Sequence, residues 1–188
     1  MMDSLHRTLL ETARRYGLFE PHETILVGCS GGADSLALAH ALRAIAPEHG
    51  WRVAAAYVHH GLRPEADAEA RELSARMQTW GMPFRILHGD VAREAQRTGR
   101  SPEEAARDVR YAALNGLAAE IGATALALGH HADDQIETVL WRLTKGSALP
   151  GLLGIPMTRL QTPGPRIVRP LLTLPRLEIE AYLRRHGL

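Results

Sequence analysis

Residues Ile25–Ala39 read ILVGCSGGADSLALA, an apolar run that passes through a glycine turn into a second apolar run. The first run is typical of a buried strand, and the second continues as a helix. Main-chain N–H groups at such a turn and in the first helical turn have no intrahelical acceptor, and the helix dipole favours negative charge there. Glycine lets the main chain approach an anion closely, and serine adds hydroxyl donors. The segment therefore predicts a phosphate-binding turn. Its residues are Ser30, Gly31, Gly32, Ala33, Asp34 and Ser35.

This turn differs from the two commoner phosphate loops. A Walker A loop has the pattern G-x-x-x-x-G-K-[ST], and the dinucleotide-binding turn has G-x-G-x-x-G. The one lysine of the chain, Lys145, lies outside any such pattern, and the second fingerprint is absent. For the turn taken alone, a capped strand-to-helix connection without a ligand remains the simpler alternative.

Composition predicts one globular domain. The chain has 188 residues, of which 45% are hydrophobic, enough for a single core. Its 22 basic and 21 acidic residues give a net charge near +1, so bulk charge does not indicate a nucleic-acid binder. The single cysteine, Cys29, excludes a disulfide framework and a cysteine-rich metal site. With no signal peptide and no long apolar run, a cytoplasmic protein without a membrane partner is expected.

Strand-like and helix-like patterns alternate along the chain. Strands are predicted at Thr24–Gly28, Val53–Val58, Phe84–His88, Thr124–Leu128 and Arg166–Val168. Helices are predicted at Ser4–Tyr16, Ser35–Ile45, Glu65–Trp80, Pro102–Ile121, Asp133–Leu143 and Arg176–His186. This order predicts an α/β fold, a Rossmann-like doubly wound parallel sheet of about five strands with helices on both faces. Such sheets bind ligands beyond the carboxyl ends of their strands.

Two arginines share one face of the helix that begins at Ser101. Its start combines a serine N-cap, a proline at N1 and a glutamate at N3. Arg107, Arg110 and Tyr111 then follow at helical spacing. We interpret the two guanidinium groups as directed at phosphate; a solvated face with a Glu103–Arg107 pair is the alternative.

Histidines and carboxylates follow the strand that is predicted to end at Leu128. The stretch Gly129–Thr138 reads GHHADDQIET, and its apolar stripe is predicted to face the core. That stripe consists of Ile136, Val139, Leu140 and Leu143. The polar groups on the other face could bind a metal, hold a cationic amine or take a proton. These groups are His130, Asp134 and Glu137, while Asp133 is either a helix cap or a substrate ligand. The second strand ends in the same layer, where His60 and Arg63 are candidate substrate ligands, although a lone histidine is more often structural.

Five ordered elements together resemble the catalytic N-terminal domain of the tRNA(Ile)-lysidine synthases, which are N-type ATP pyrophosphatases of the PP-loop family. They are Ser30–Ser35, His60–Arg63, Arg107–Tyr111, Gly129–Thr138, and Gly146–Gly154 followed by Arg169-Pro170-Leu171-Leu172. The similarity runs from about Thr24 to Leu188. It implies an adenine nucleotide alpha hydrolase-like fold and one PP-loop domain over residues 1–188. In the family, a helical extension follows this domain, and tRNA-binding domains often come after it. The residues from about 175 onward are expected to begin that extension.

The resemblance also implies an activity. In that family ATP adenylates the wobble cytidine of isoleucine tRNA (anticodon CAU) at its C2 oxygen, and the ε-amine of free L-lysine displaces AMP. ATP and Mg²⁺ are thus the implied cofactors, with Asp34 as a magnesium contact, and tRNA(Ile) and L-lysine are the implied partners. Arg110, with Arg107, would stabilise the leaving pyrophosphate. Asp134 and Glu137 would bind the lysine ammonium, and one of them or His130 would accept its proton. A homodimer is one assembly that the resemblance allows.

Three other functions fit the phosphate turn. A tRNA thiolation enzyme of the same loop class commonly uses paired cysteines, which this chain lacks. A ligase that amidates a small molecule remains open, because the turn specifies ATP and not the acceptor. A module that binds ATP without turnover would need only the turn, and the accompanying arginine, histidine and carboxylate groups argue against it.

Overall fold

The structure is a computed structural model that describes residues 3–61, 66–146 and 153–188. Its elements, in chain order, are α1 (Ser4–Tyr16), β1 (Thr24–Cys29), α2 (Ala33–His49), β2 (Arg52–His59), α3 (Ala66–Thr79), β3 (Phe84–His88), α4 (Val91–Thr98), α5 (Pro102–Ile121), β4 (Ala125–Leu128), α6 (Ala132–Thr144), β5 (Thr158–Arg159), β6 (Arg166–Val168) and α7 (Arg176–Arg185). The predicted bounds of α1, β3, α5 and β6 are confirmed. The short elements α4 and β5 were not predicted. No helix in these ranges is both long and apolar enough to cross a bilayer.

The strands form one sheet in the order β3-β2-β1-β4-β6-β5. Five strands are parallel, as predicted, and β5 adds an antiparallel edge strand. The order reverses between β1 and β4, where Gly28 is in register with Leu128. Ligands of doubly wound sheets bind beyond this switch point. The phosphate turn after β1 and the histidine stretch after β4 therefore start side by side.

Helices cover both faces of the sheet, which confirms the predicted layers. On one face α1, α2, α3 and α7 pack on alternate strand residues such as Ile25 and Val27. On the other face Leu114 and Leu117 of α5 pack on Leu26 and its neighbours. The two apolar layers hold the strand ends, and thus the loops after them, in fixed positions.

The prediction that the apolar stripe of α6 faces the core is wrong. Ile136, Leu140 and Leu143 are 58%, 56% and 52% exposed, and α6 has no buried residue. The helix turns its polar face inward instead. There Gln135 donates to the Ile155 carbonyl (3.0 Å), and Arg142 donates to the Gly154 carbonyl (3.1 Å). Periodicity located the helix but assigned the buried side to the wrong face, because here the polar side chains build an internal site.

A histidine–tyrosine cluster joins α1, α2 and α7. The Tyr182 hydroxyl lies 2.9 Å from His6 Nε2 and 2.6 Å from His40 Nδ1. The His186 ring lies 4.3 Å from the Tyr182 ring and 5.0 Å from the His40 ring, measured between centroids. Burial, with the nearby His186, Arg43 and His6, lowers the pKa of His40 to about 4. The pKa of His6 is also lowered, mainly by burial. The folded chain therefore keeps both imidazoles neutral at neutral pH.

We expect the free energy of unfolding to decrease as the pH falls from about 6.5 towards about 4, because the unfolded chain protonates His40 in that window and the folded chain does not. His40→Gln removes the titrating group and should make this pH dependence shallower. Urea unfolding at about pH 7 and about pH 5 measures it. The exposed His88 offers the control His88→Gln, which should keep the wild-type dependence. The same loss of stability in the His40 variant as in the wild type would contradict this assignment.

Candidate functional site

The phosphate turn is held in shape by its two serines. The Ser35 hydroxyl accepts a hydrogen bond from the Ser30 main-chain N–H (3.1 Å) and donates to the Gly32 carbonyl (2.9 Å). Ser35 is buried, whereas Ser30 is exposed. The single hydroxyl proton of Ser35 is thus used within the turn. In this arrangement Ser35 supports the turn, and the hydroxyl that faces outward is that of Ser30.

The start of α2 supplies the main-chain donors of the site. Gly32 is the N-cap, and the first helical hydrogen bond runs from Leu36 N–H to the Gly32 carbonyl (3.1 Å). The N–H groups of Ala33, Asp34 and Ser35 precede this bond and have no acceptor within the helix. Together with the helix dipole they form the predicted anion site.

Gly129, the first residue after β4, packs directly on this turn. A Cβ at Gly129 would lie 2.9 Å from the Ser35 main-chain nitrogen and 3.0 Å from the Asp34 carbonyl carbon. Real Cβ contacts are almost never so short, and both neighbours are rigid backbone. Only glycine fits here, and its absence of a side chain brings the loops after β1 and β4 into contact.

A cavity of about 220 Å³, called here the turn cavity, lies above these two loops. Apolar residues from β2, α5 and β4 form one wall, and polar groups from the turn, α5 and α6 form the other. Its lining includes Ser30, Asp34, Ala56, Val58, Arg110, Leu114, Leu128, His130 and Asp134. An apolar wall beside an anion site is the arrangement that a nucleotide requires.

A second cavity of about 400 Å³, called here the arginine cavity, shares His130 and Asp134 with the first. Charged side chains of both signs line it. They are Arg107, Arg142, Arg159 and Arg169, with Asp134 and Glu137. A group bound in one cavity can therefore meet a group bound in the other at the His130–Asp134 boundary.

His130 is neutral at this boundary. Burial, reinforced by Arg169, Arg110 and Arg107, lowers its pKa to about 4, although Asp134 acts in the opposite direction. Its Nδ1 atom is buried without a hydrogen-bond partner. A neutral imidazole in this position can accept a proton at pH 7.

The carboxylates of Asp34, Asp133 and Asp134 lie around the buried side chain of His131, which is 4% exposed. Its Nε2 atom lies 3.6 Å from an Asp34 carboxylate oxygen and 3.7 Å from one of Asp134. Its Nδ1 atom lies 3.6 Å from Asp133. His131 thus links the start of α2 to the start of α6, a role that the sequence did not reveal.

Asp133 and Asp134 also have structural partners. Asp134 accepts a hydrogen bond from the His131 main-chain N–H (2.8 Å) and still lines both cavities. Asp133 accepts from the Arg176 N–H (2.9 Å) at the start of α7 and lines neither cavity. Of the two readings left open for Asp133, its contacts favour a cap, although the helix it caps is α7 and not α6.

Of the two remaining predicted ligands, only His60 is described. His60 lines a separate cavity beyond β2 and β3, with His59 and His88. Arg63 lies outside the described residues. The structure therefore brings Arg110, His130 and Asp134 to the turn, places Arg107 and Glu137 in the arginine cavity, and leaves His60 elsewhere.

Three arginines of the arginine cavity, Arg142, Arg159 and Arg169, were not assigned to the site from the sequence, although Arg169 belongs to one of the five family elements. Arg169 is 3% exposed and directly follows β6, so its position at a strand end was a usable signal. Arg159 belongs to the unpredicted strand β5. The Glu103–Arg107 pair, which was the alternative to a phosphate-directed face, does not form among the described residues. The Arg107 guanidinium instead lies 5.1 Å from the centre of the Tyr111 ring.

Asp34 fits a magnesium contact in one respect. Its Oδ1 atom is buried without a hydrogen-bond partner beside the turn, and Mg²⁺ commonly binds through one or two carboxylates and substrate phosphates. Within the ranges described, no three histidine, cysteine, aspartate or glutamate side chains form a metal-binding group.

Comparison with known proteins shows which family the chain resembles. A family model described as a PP-loop domain matches residues 2–188. The tRNA(Ile)-lysidine synthase of Ralstonia nicotianae is 45% identical over 167 residues, which cover 88% of this chain and 35% of that protein. The tRNA(Ile)-lysidine synthase of Symbiobacterium thermophilum is 46% identical over 184 residues, which cover 93% of this chain and 36% of that protein. The chain thus spans about a third of the length of these curated relatives.

A solved structure shares the fold. The U34-tRNA thiolase NcsA from Methanococcus maripaludis, with its [4Fe-4S] cluster, matches with a TM-score of 0.81. The match covers 98% of this chain and 63% of that one, at 21% identity. The α/β architecture predicted from the sequence is therefore confirmed, and so is the family resemblance that the five motifs indicated.

We expect Gly129→Ala to destabilise the chain by about 1–3 kcal/mol, because the added Cβ forces apart the backbones of the two loops. Gly116→Ala is the matched control, since no atom lies within 4 Å of a Cβ at that position in α5. The control should be neutral or stabilising by up to about 1 kcal/mol. Urea unfolding measures both variants. Equal stability of Gly129→Ala and the wild type would show that the loops are not in close contact.

Proposed function

The chain belongs to the PP-loop domain family, and from this premise we propose that it is the adenylating domain of a tRNA(Ile)-lysidine synthase. One observation carries the proposal. The anion-binding turn and a cavity lined by both carboxylates and arginines meet at a neutral histidine and an aspartate. ATP, a nucleobase and an amine would have to meet at such a boundary.

ATP is proposed to occupy the turn cavity. Its adenine would lie against the apolar wall of Ala56, Val58 and Leu114, and its phosphates would bind the N–H groups that begin α2. Mg²⁺, held by Asp34 together with the phosphates, would neutralise their charge. Arg110 lines the same cavity and would stabilise the charge that develops on pyrophosphate.

Two steps complete the proposed reaction. The C2 oxygen of the wobble cytidine attacks the α-phosphorus, the bond to the bridging oxygen breaks, and pyrophosphate leaves. The ε-amine of lysine then attacks C2, the C2–oxygen bond breaks, and AMP leaves with that oxygen. Asp134 and Glu137 would hold the ε-ammonium, and neutral His130 would accept the proton that the ammonium must lose. A reaction on tRNA implies a cytoplasmic protein.

Thiolation is disfavoured by the environment of Cys29. The thiol is buried, and burial raises its pKa to about 12. A thiolate that could carry sulfur is therefore not formed at neutral pH.

Pyrophosphate release separates the proposed functions. The chain is mixed with ATP and Mg²⁺, with tRNA(Ile) and lysine added singly and together, and tRNA is digested to detect lysidine. We expect release that requires tRNA and a modified nucleoside that requires lysine. Release driven by another acceptor would indicate a small-molecule ligase, and ATP binding without any release would indicate a binding module.

We expect Asp34→Asn to reduce ATP-dependent pyrophosphate release by at least about 100-fold, because the variant loses the carboxylate charge beside the phosphates while keeping its shape. Asp108 of α5, which is half-buried and pairs with Arg100, provides the control Asp108→Asn, which should retain activity. Urea unfolding should show that both variants are folded. If Asp34→Asn turned over ATP at the wild-type rate, the proposed role of Asp34 would be wrong.

We expect His130→Gln to slow lysidine formation by about 10²- to 10⁴-fold while pyrophosphate release changes much less, because a general base for the amine acts in the second step only. Since the pKa of His130 is about 4, its contribution should persist down to about pH 5. The measurement is single-turnover analysis of both products. An equal decrease in both steps would assign His130 to adenylation instead.

A further inference from the structure

Three arginines from two elements meet at the ring of Tyr111. This tyrosine belongs to α5 and is buried in the apolar layer between that helix and the sheet. The guanidinium carbons of Arg107 and Arg159 each lie 5.1 Å from the centre of the ring, and that of Arg110 lies 5.6 Å from it. Arg107 and Arg110 are on α5 itself, whereas Arg159 is on β5. All three distances are within the range of about 6 Å at which an aromatic face attracts a cation.

The ring contact is what limits the positions of these three guanidinium groups. In the part of the chain that the structure describes, none of the three forms an ion pair with a carboxylate. Like charges that lie close together repel, and an arginine side chain can adopt many rotamers. Without the ring the three groups would therefore spread over many positions.

An aromatic ring holds a cation differently from a carboxylate. A carboxylate would neutralise the guanidinium and occupy its N–H donors. The ring attracts the cation through its quadrupole, has no net charge, and leaves the N–H groups in the guanidinium plane available to an anion. Tyr111 can therefore fix the arginines and still leave them able to bind anions.

The arginines around Tyr111 belong to both cavities. Arg110 lines the turn cavity, and Arg107 and Arg159 line the arginine cavity. Tyr111 itself lines neither. Arg110 and Arg107 are also among the groups that lower the pKa of His130. A single buried ring thus contacts groups that act on the anion site and groups that act on the boundary histidine.

We propose that Tyr111 is a positioning residue, whose ring holds Arg107, Arg110 and Arg159 in place while leaving their charge available to anions. Its consequence for turnover rests on the proposed function, in which Arg110 stabilises the departing pyrophosphate. Electrostatic stabilisation of this kind requires the charged group to be in place before the reaction, so a displaced guanidinium loses much of its effect.

A titration of His130 by NMR tests the positioning without turnover. In the chain without ligands, Tyr111→Leu releases Arg110 and Arg107, so the pKa of His130 should rise from about 4 by about half a pH unit or more. The other two charged groups that act on His130 keep contacts of their own. Arg169 donates to the Pro156 carbonyl (2.6 Å), and Asp134 accepts from the His131 main-chain N–H (2.8 Å). The His130 signal is identified by its absence in His130→Gln.

Two further replacements separate the ring from its packing. Tyr111→Phe keeps the ring and should leave the pKa of His130 near 4. Trifluorophenylalanine at position 111 keeps the size of the ring but withdraws electrons from its face, so it should raise the pKa of His130 as Tyr111→Leu does. This replacement decides the question if Tyr111→Leu does not fold.

Leu117 provides a control for the loss of packing alone. It lies in the same apolar layer of α5, is 4% exposed and lines neither cavity. Leu117→Ala should lower the stability of the chain but leave the pKa of His130 and turnover at their wild-type values. Urea unfolding shows the conditions under which each variant is folded.

Turnover with ATP, Mg²⁺, tRNA(Ile) and lysine gives the second measurement. Tyr111→Leu should reduce kcat for pyrophosphate release by about 10-fold or more and change KM for ATP by less than about 3-fold, because Arg110 acts mainly on charge that develops in the transition state. Tyr111→Phe should retain kcat within about 3-fold of the wild type.

The positioning role would be overturned by an unchanged pKa of His130 in the folded Tyr111→Leu and trifluorophenylalanine variants, or by an equal effect of Leu117→Ala. An equal loss of kcat in Tyr111→Phe would also overturn it, because the hydroxyl and not the ring would then be responsible. If the pKa responds as expected but the wild type releases no pyrophosphate, the positioning role stands and the proposed function fails.

Discussion

The contact between Gly129 and the first turn of α2 is the constraint on which the site depends. The loops after β1 and β4 begin at adjacent strand ends because Gly28 and Leu128 are in register. Only the missing side chain at Gly129 lets the two backbones touch. Since His130 and His131 follow immediately, this contact also sets where their imidazoles lie relative to Asp34. The proposed anion site and the proposed proton acceptor are thus positioned by one backbone contact.

Helix α6 shows how a functional face can override apolar patterning. Its inward side carries Asp134, Gln135, Thr138 and Arg142, and the last three recur at intervals of three and four residues, as in any packed stripe. Gln135 and Arg142 bind the carbonyls of Ile155 and Gly154, so the helix is held by hydrogen bonds to a loop. The apolar side chains are left on the outer face. Hydrogen bonds of this kind contribute about 1 kcal/mol each, so they fix the loop more than they stabilise the fold.

Most of the fold could be predicted from the sequence because its signals are local. The turn at Ser30–Ser35, the capped start at Ser101 and the apolar runs of β1 and β4 each depend on a few adjacent residues. The site was harder to predict where distant segments meet. Arg169 becomes a site residue only because β6 lies beside β4, and Arg159 only because β5 pairs with β6. Ser35 could be placed in the turn, but its inward hydrogen bonds depend on three-dimensional geometry. The orientation of α6 depends on hydrogen bonds to the loop at Gly154 and Ile155, and the apolar periodicity of the helix carries no information about such bonds.

The division into two cavities gives a physical reason for the charges around His130. A base that must accept a proton at pH 7 has to remain neutral beside a bound polyphosphate, which would otherwise favour the imidazolium. Arg169, Arg110 and Arg107 lie close enough to oppose protonation, and burial acts in the same direction. The same arginines would neutralise ligand charge on either side of the boundary. Removing these three arginines would therefore both weaken anion binding and raise the pKa of His130.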